Sequence, residues 1–170
     1  MAVDAFLEFD SGASIKGETK DSQHGEGKGD CLQCDSFDFG AEVPASAEQG
    51  QGLGAGKMTF GQFNFKAKTS KHSFAVFKHL TLGTHIKSAK LYLRKSGGGS
   101  STGQKDYLIF TFKELIITKW SIDGGSEDPV ESMSFAYTSL HMEYKMQKGD
   151  GSVSRVGSWG YDLKANEGKE

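Results

Sequence analysis

Short runs in which apolar and polar residues alternate constrain this chain more than any other feature. From Asp4 to Asp10, Ala5, Leu7 and Phe9 share one face, while Asp4, Glu8 and Asp10 take the other with Phe6 among them. A period of two places successive side chains on opposite faces of a strand, so this run predicts a half-buried strand. His85 to Lys95 repeats the pattern, with Ala89, Leu91 and Leu93 against Ser88, Lys90, Tyr92 and Arg94. Leu32 to Phe39, Met58 to Lys66, Tyr107 to Phe112, Leu115 to Trp120, Glu131 to Tyr137, Leu140 to Met146 and Val156 to Leu163 are further strand candidates. In Met58 to Lys66 the phenylalanines change phase across Gly61-Gln62, which predicts a bulge. The pair Tyr107 to Phe112 and Leu115 to Trp120 is apolar on both faces. Such strands need cover on the outside as well as the inside, by a helix or another subunit.

One segment reads as a helix. Ser70 is a candidate cap, Phe74, Val76, Phe77 and Leu80 form an apolar stripe, and Gly83 can end it. Between the strands, 23 glycines against 2 prolines point to tight turns rather than extended linkers. Thr19 to Asp30 reads as a polar loop, and the charged end of the chain as a frayed tail. Val43 to Gly56 shows no period and is rich in Gly, Ala and Gln; a structureless loop of that length usually has a task. The expected fold is mainly β, a β-barrel of about eight or nine strands with one short helix packed on its flank. No repeat or boundary divides residues 1–170, so a single domain is expected.

The net charge of -2 lacks the basic footprint of a nucleic-acid binder. MAVDAFLEFD has no basic n-region followed by an apolar core, so no secretory signal is read. No window approaches the roughly 20 apolar residues of a membrane span. These features predict a chain made in the cytoplasm without membrane insertion.

Cys31 and Cys34, in the stretch CLQC, are the only cysteines. A redox CxxC opens a helix, whereas a strand follows here. Residues i and i+3 on a strand face opposite ways and lie roughly 10 Å apart, beyond the about 7 Å between Cα atoms that a disulfide tolerates. A structural zinc site needs about four ligands, and neither a second CxxC nor an HxxxH pair exists. Cys34 is expected as a small core residue and Cys31 as a loop or edge residue. GQGLGAGKMT (50–59) hints at a phosphate-binding loop, but Gln51 stands where its first glycine should be and Met58 where Ser or Thr should be. The five histidines are scattered, with structural roles expected, and no nucleophile elbow occurs. No catalytic, cofactor-binding or metal residue is assigned, and the chain is not expected to be an enzyme.

Taken in order, DAFLEFD (4–10), IKGE (15–18), FDFG (37–40), GAGKMTFGQFNF (54–65), HIKSAKLYLRK (85–95), the run from Tyr107 to Trp120, PVESMSFAY (129–137), LHMEYK (140–145) and GYDLKAN (160–166) resemble the Hcp family. These are tube-forming proteins of bacterial type VI secretion systems. The chain departs from that pattern at Cys34, Asp35 and Ser36, where the family strand is aliphatic, and at Phe74, where a proline is frequent. The resemblance implies a homohexameric ring that stacks into a tube. It also implies a contractile sheath around the tube, a spike protein at its tip, effector proteins carried as by a chaperone, and secretion without a signal peptide. It implies no cofactor. The Val43 to Lys57 loop, with Val43, Gln49, Gln51, Leu53 and Lys57, corresponds to the family's ring-stacking or subunit-contact loop. The alternatives are a contractile phage-like tail tube and a free-standing ligand-binding β-barrel.

Overall fold

The computed structural model describes residues 3–48, 52–95, 104–125, 127–150 and 152–170. Its organising element is an 18-residue strand, β10 (Asp106–Asp123). The two strands expected from Tyr107 to Trp120 are one strand, bent where Glu114 adopts a left-handed φ of 53°. That bend lets one strand serve two sheets. Its first half pairs with β9 (Ile86–Lys95) and β12 (Ser139–Gln147), and its second half with β11 (Val130–Ala136). Beyond β9 lie β1 (Val3–Phe9) and then β2 (Leu32–Cys34). Beyond β11 lie β8 (Phe63–Lys68) and β3 (Ser36–Asp38). Beyond β12 a flange continues with β13 (Val153–Asp162) and β14 (Glu167–Lys169).

The class is mainly β, as expected, but among the described residues the ladders do not close into a barrel. The strand expected over Leu32 to Phe39 is broken at Asp35. β2 pairs with β1, β3 pairs with β8, and the chain steps from one sheet to the other between them. The Asp35 N–H donates to the Lys66 carbonyl at 2.8 Å at this step. The bulge expected at Gly61-Gln62 is likewise a full break, separating β7 (Thr59–Phe60) from β8. The end of the chain is not frayed, because β14 extends the flange.

Partners opposite one another in an antiparallel pair share a face. On the inner face Leu7, Leu91 and Phe110 fall in one row, and Phe9, Ala89 and Phe112 in the next. Phe63 stacks on Phe135 at 4.8 Å and meets Phe112 edge-on at 5.0 Å. Burying such rings is worth about 1.5–3 kcal/mol each, and ring pairing adds about 0.5–1.5 kcal/mol.

The outer face of β1 and β9 is covered around Phe6 and Arg94. Residues 16–31 fold across it as a flap. The loop is tied at its base, where the Gly17 N–H donates to the Asp30 carbonyl at 2.8 Å. Gly17 is required there, since a Cβ would sit 2.1 Å from the Cys31 carbonyl oxygen. Under the flap His24 stacks on Phe6 at 4.8 Å and lies 4.6 Å from Tyr92. Arg94 is 1% exposed, donates to Asp21 at 2.9 Å and rests over the Phe6 ring at 4.8 Å. Asp106 approaches His24 Nε2 at 3.0 Å. The polar loop read over Thr19 to Asp30 is therefore a cover for a second, partly ionic core.

The helix α1 (His72–Leu82) ends at Gly83 with φ 60°, as its sequence requires. Its cap and packing face differ from expectation. Lys71 occupies the cap position without a side-chain hydrogen bond, and the Ser70 hydroxyl instead lies 2.7 Å from His72 Nδ1. His72, Ala75 and Val76 are buried, whereas Phe74 and Phe77, expected in the inward stripe, are 72% and 47% exposed.

Candidate assembly interface

The segment read as a structureless loop is a two-stranded ribbon. β4 (Ala41–Glu42) pairs with β7, and β5 (Ala45–Glu48) pairs with β6 (Gly52–Ala55). Between the two ladders the Gly56 N–H donates to the Pro44 carbonyl at 2.7 Å. Gly and Ala dominate, and the alternation that marks a half-buried strand is missing: residues 41–46 and 53–57 are exposed throughout. At the base Phe60 stacks on Tyr137 at 5.1 Å and meets Tyr161 at 6.4 Å. Among the described residues β5 and β6 pair only with each other. Val43 is 44% and Leu53 79% exposed, and Lys57 is exposed. Gln49 and Gln51 lie outside the described residues. A lone two-stranded ribbon is marginal in water, so this arm would gain from cover by a partner.

Two larger apolar surfaces flank opposite halves of β10. The first is built on α1, where Phe77 lies 5.2 Å from Trp120 while Phe74 and, at 62% exposure, Leu82 point outward. Ile122, 50% exposed, continues β10 beyond Trp120. The second is the continuation of the inner face onto the flange. The row of Leu7, Leu91 and Phe110 proceeds to Met142 and Trp159. Leu7 and Leu91 are fully buried, but Met142 and Trp159 are 44% and 57% exposed. Tyr144 and Met146 extend the same face of β12, 40% and 49% exposed. The period of two is intact along β12, so the sequence identified the apolar face. It gave no sign that the flange carries that face past the end of the core.

The cysteines take no part in these surfaces. Cys34 joins the main core, and Cys31, expected as a loop or edge residue, lies just before β2 outside any strand but is fully buried. Both are free thiols. Burial, aided by the nearby Glu8, Asp106, Asp21 and Asp30 charges, pushes Cys31 up to about 12. Burial, with the Asp35 charge, raises Cys34 as well. Both thiols stay protonated at neutral pH, the form least suited to metal binding or exchange.

One cluster has the order of a hydrolytic triad. Ser70 Oγ lies 2.7 Å from His72 Nδ1, and His72 Nε2 lies 3.0 Å from Glu131 Oε2. The Nε2 approach is not aligned as a hydrogen bond, and Glu131 Oε1 has no hydrogen-bond partner. The nearby donors are also occupied, since the Ser70 N–H donates to Ser73 Oγ and the Lys71 N–H to Glu18. No pair of free N–H groups is left at Ser70 and Lys71 to hold an oxyanion. Burial lowers the His72 pKa, against the pull of Glu131. The arrangement anchors the start of α1 on β11.

A family model described as "Type VI secretion system effector, Hcp" matches residues 6–144. Protein hcp1 of Pseudomonas aeruginosa is 33% identical over 154 residues, covering 89% of each chain. Among solved structures, Hcp1 from Salmonella typhimurium matches at a TM-score of 0.74 and 27% identity, over 99% of this chain and 100% of that one. A second, described as a type six secretion system protein, shares the fold at a TM-score of 0.85 and 23% identity, over 99% and 100% of the chains.

Proposed function

The chain belongs to the Hcp family and is a tube protein of the type VI secretion system, and from that premise we propose that it closes into six-membered rings by a head-to-tail contact between its two unlike apolar surfaces. The observation that carries this reading is the presence on one protomer of two unlike exposed apolar surfaces, one on α1 around Phe74 and one on the flange around Trp159. A two-fold contact requires one surface to meet itself. Two different surfaces that meet head to tail generate a ring when the rotation closes. The ring size of six is the family's. The arm projects from each ring to the next and gains there cover for its exposed Val43 and Leu53. Val43, Leu53 and Lys57 would make that contact, and Gln49 and Gln51 belong to the same segment of the sequence. Rings stacked in this way carry effectors, meet a spike protein and sheath, and leave the bacterial cytoplasm through the apparatus. The role is structural, and no step of it calls on catalysis.

Native mass spectrometry of Phe74→Arg and Trp159→Arg tests the head-to-tail contact. Each variant spoils one surface and keeps the other. Each alone should be monomeric, and an equimolar mixture should form dimers through the one intact contact, without rings. If either variant still forms rings alone, its surface lies outside the contact. If each variant dimerises by itself, the contact is two-fold and the reading fails.

A further inference from the structure

Four described methionines divide sharply by environment. Met133 is 1% exposed within the aromatic core, and Met58 is half-buried. Met142 and Met146 are 44% and 49% exposed and sit on the same face of β12, either side of Tyr144. The thioether is the most readily oxidised group on that face, and peroxide reaches it without any activating base. We infer that Met142 and Met146 form an oxidation site that controls whether a free protomer can enter a ring. This rests on the reading that the flange surface is a ring contact.

The step is a two-electron oxygen transfer. One oxygen of hydrogen peroxide bonds to the methionine sulfur, the O–O bond breaks, and water leaves. The sulfur is oxidised to the sulfoxide and the peroxide oxygen is reduced. The product is polar and accepts hydrogen bonds strongly. Burying it against an apolar partner without a donor disfavours association by tenfold or more, the order expected for an unpaired polar group. The same contact that the sulfoxide blocks also shields the sulfur once formed. Oxidation therefore acts on the unassembled pool and spares finished rings. Methionine sulfoxide reductases, one for each sulfoxide epimer, restore the thioether using a dithiol.

Peptide mass spectrometry and native mass spectrometry on the full chain test this together. Phe74→Arg, held unassembled with its flange intact, should take up oxygen at Met142 and Met146 well before Met133. In wild-type rings the same two sites should be protected at least several-fold. Met142→Gln/Met146→Gln, which places a polar group of similar length at each site, should shift the concentration for ring formation upward by tenfold or more. Met142→Leu/Met146→Leu should form rings that survive prior peroxide treatment of the protomer. If the leucine variant does not assemble, recovery of rings from oxidised wild-type protein by the two reductases decides the matter. Rings of normal affinity from the glutamine variant, or equal oxidation of Met133 and Met142 in the free protomer, would overturn the inference. Failure of the head-to-tail reading is distinguishable. It shows as rings from Trp159→Arg, before any oxidant is added.

Discussion

Replacing Arg94 by methionine should destabilise the protomer by about 3 kcal/mol, the lower end of the cost of breaking a buried ion pair. Methionine keeps the length of the side chain and removes the charge. Arg94 is 1% exposed, and its Nη2 donates to Asp21 at 2.9 Å. Its Nε is 3.7 Å from Asp106, too far for a hydrogen bond, and Asp106 keeps His24 at 3.0 Å. Asp21 is therefore the carboxylate that loses its cationic partner and keeps only the Gln23 and His24 N–H donors. Its side chain is 19% exposed, so water compensates in part, which is why the lower end of the range applies. The guanidinium also leaves the Phe6 ring. At this chain length about 3 kcal/mol corresponds to a fall in Tm of about 6–12 °C. Thermal melts in the unassembled Phe74→Arg background, read by circular dichroism, avoid the contribution of assembly to apparent stability.

The pH dependence sharpens the test. Burial alone would raise the Asp21 pKa, but hydrogen bonds from Arg94, Gln23 and His24 and the charge of Arg94 hold it below 3.8. A carboxyl depressed in the folded state contributes stability above its unfolded pKa. That stability is lost as pH falls through the folded value, so the wild-type flap should weaken only below about pH 4. In Arg94→Met burial acts without the guanidinium, and the loss should begin at higher pH. A variant as stable as the parent at neutral pH would refute the reasoning, because it would mean that desolvating the guanidinium cancels all it gains.

Three further outcomes follow from particular contacts. Gly17→Ala should strip protection from the flap amides in hydrogen exchange and cost about 1–3 kcal/mol, since its Cβ would overlap the Cys31 carbonyl at 2.1 Å. Cys34→Ser should cost about 1–3 kcal/mol in denaturant melts by burying an unpaired hydroxyl, Cys34→Ala should cost less, and ring assembly in either should be indifferent to reductant and chelator. Deleting 45–55 should leave single rings in negative-stain images but shorten or abolish stacks, and tubes of normal length would remove the arm from stacking.

Alternation along the chain determined most of the strands and the mainly β class. It did so because a strand with one wet and one dry face writes its period into the sequence, as β1 and β9 do. Gly83 marked the end of α1 because few residues other than glycine take a left-handed φ. The order of motifs from DAFLEFD to GYDLKAN carried the family, and with it the tube. Elsewhere the local pattern was silent. The arm shows no alternation, and its described residues at 41–46 and 53–57 are exposed on both faces within the protomer. Arg94 read as part of the polar face of its strand and His24 as one of the scattered structural histidines, because charge normally stays in water. Only the fold brings Asp21, Asp106 and Phe6 around them. Phe74 and Phe77 read as core because helical spacing marks an apolar face without saying what it meets. Whether Met142 and Trp159 are covered depends on how far the flange runs past the core, a distance set by strand pairing across the chain and not by any residue's neighbours in sequence.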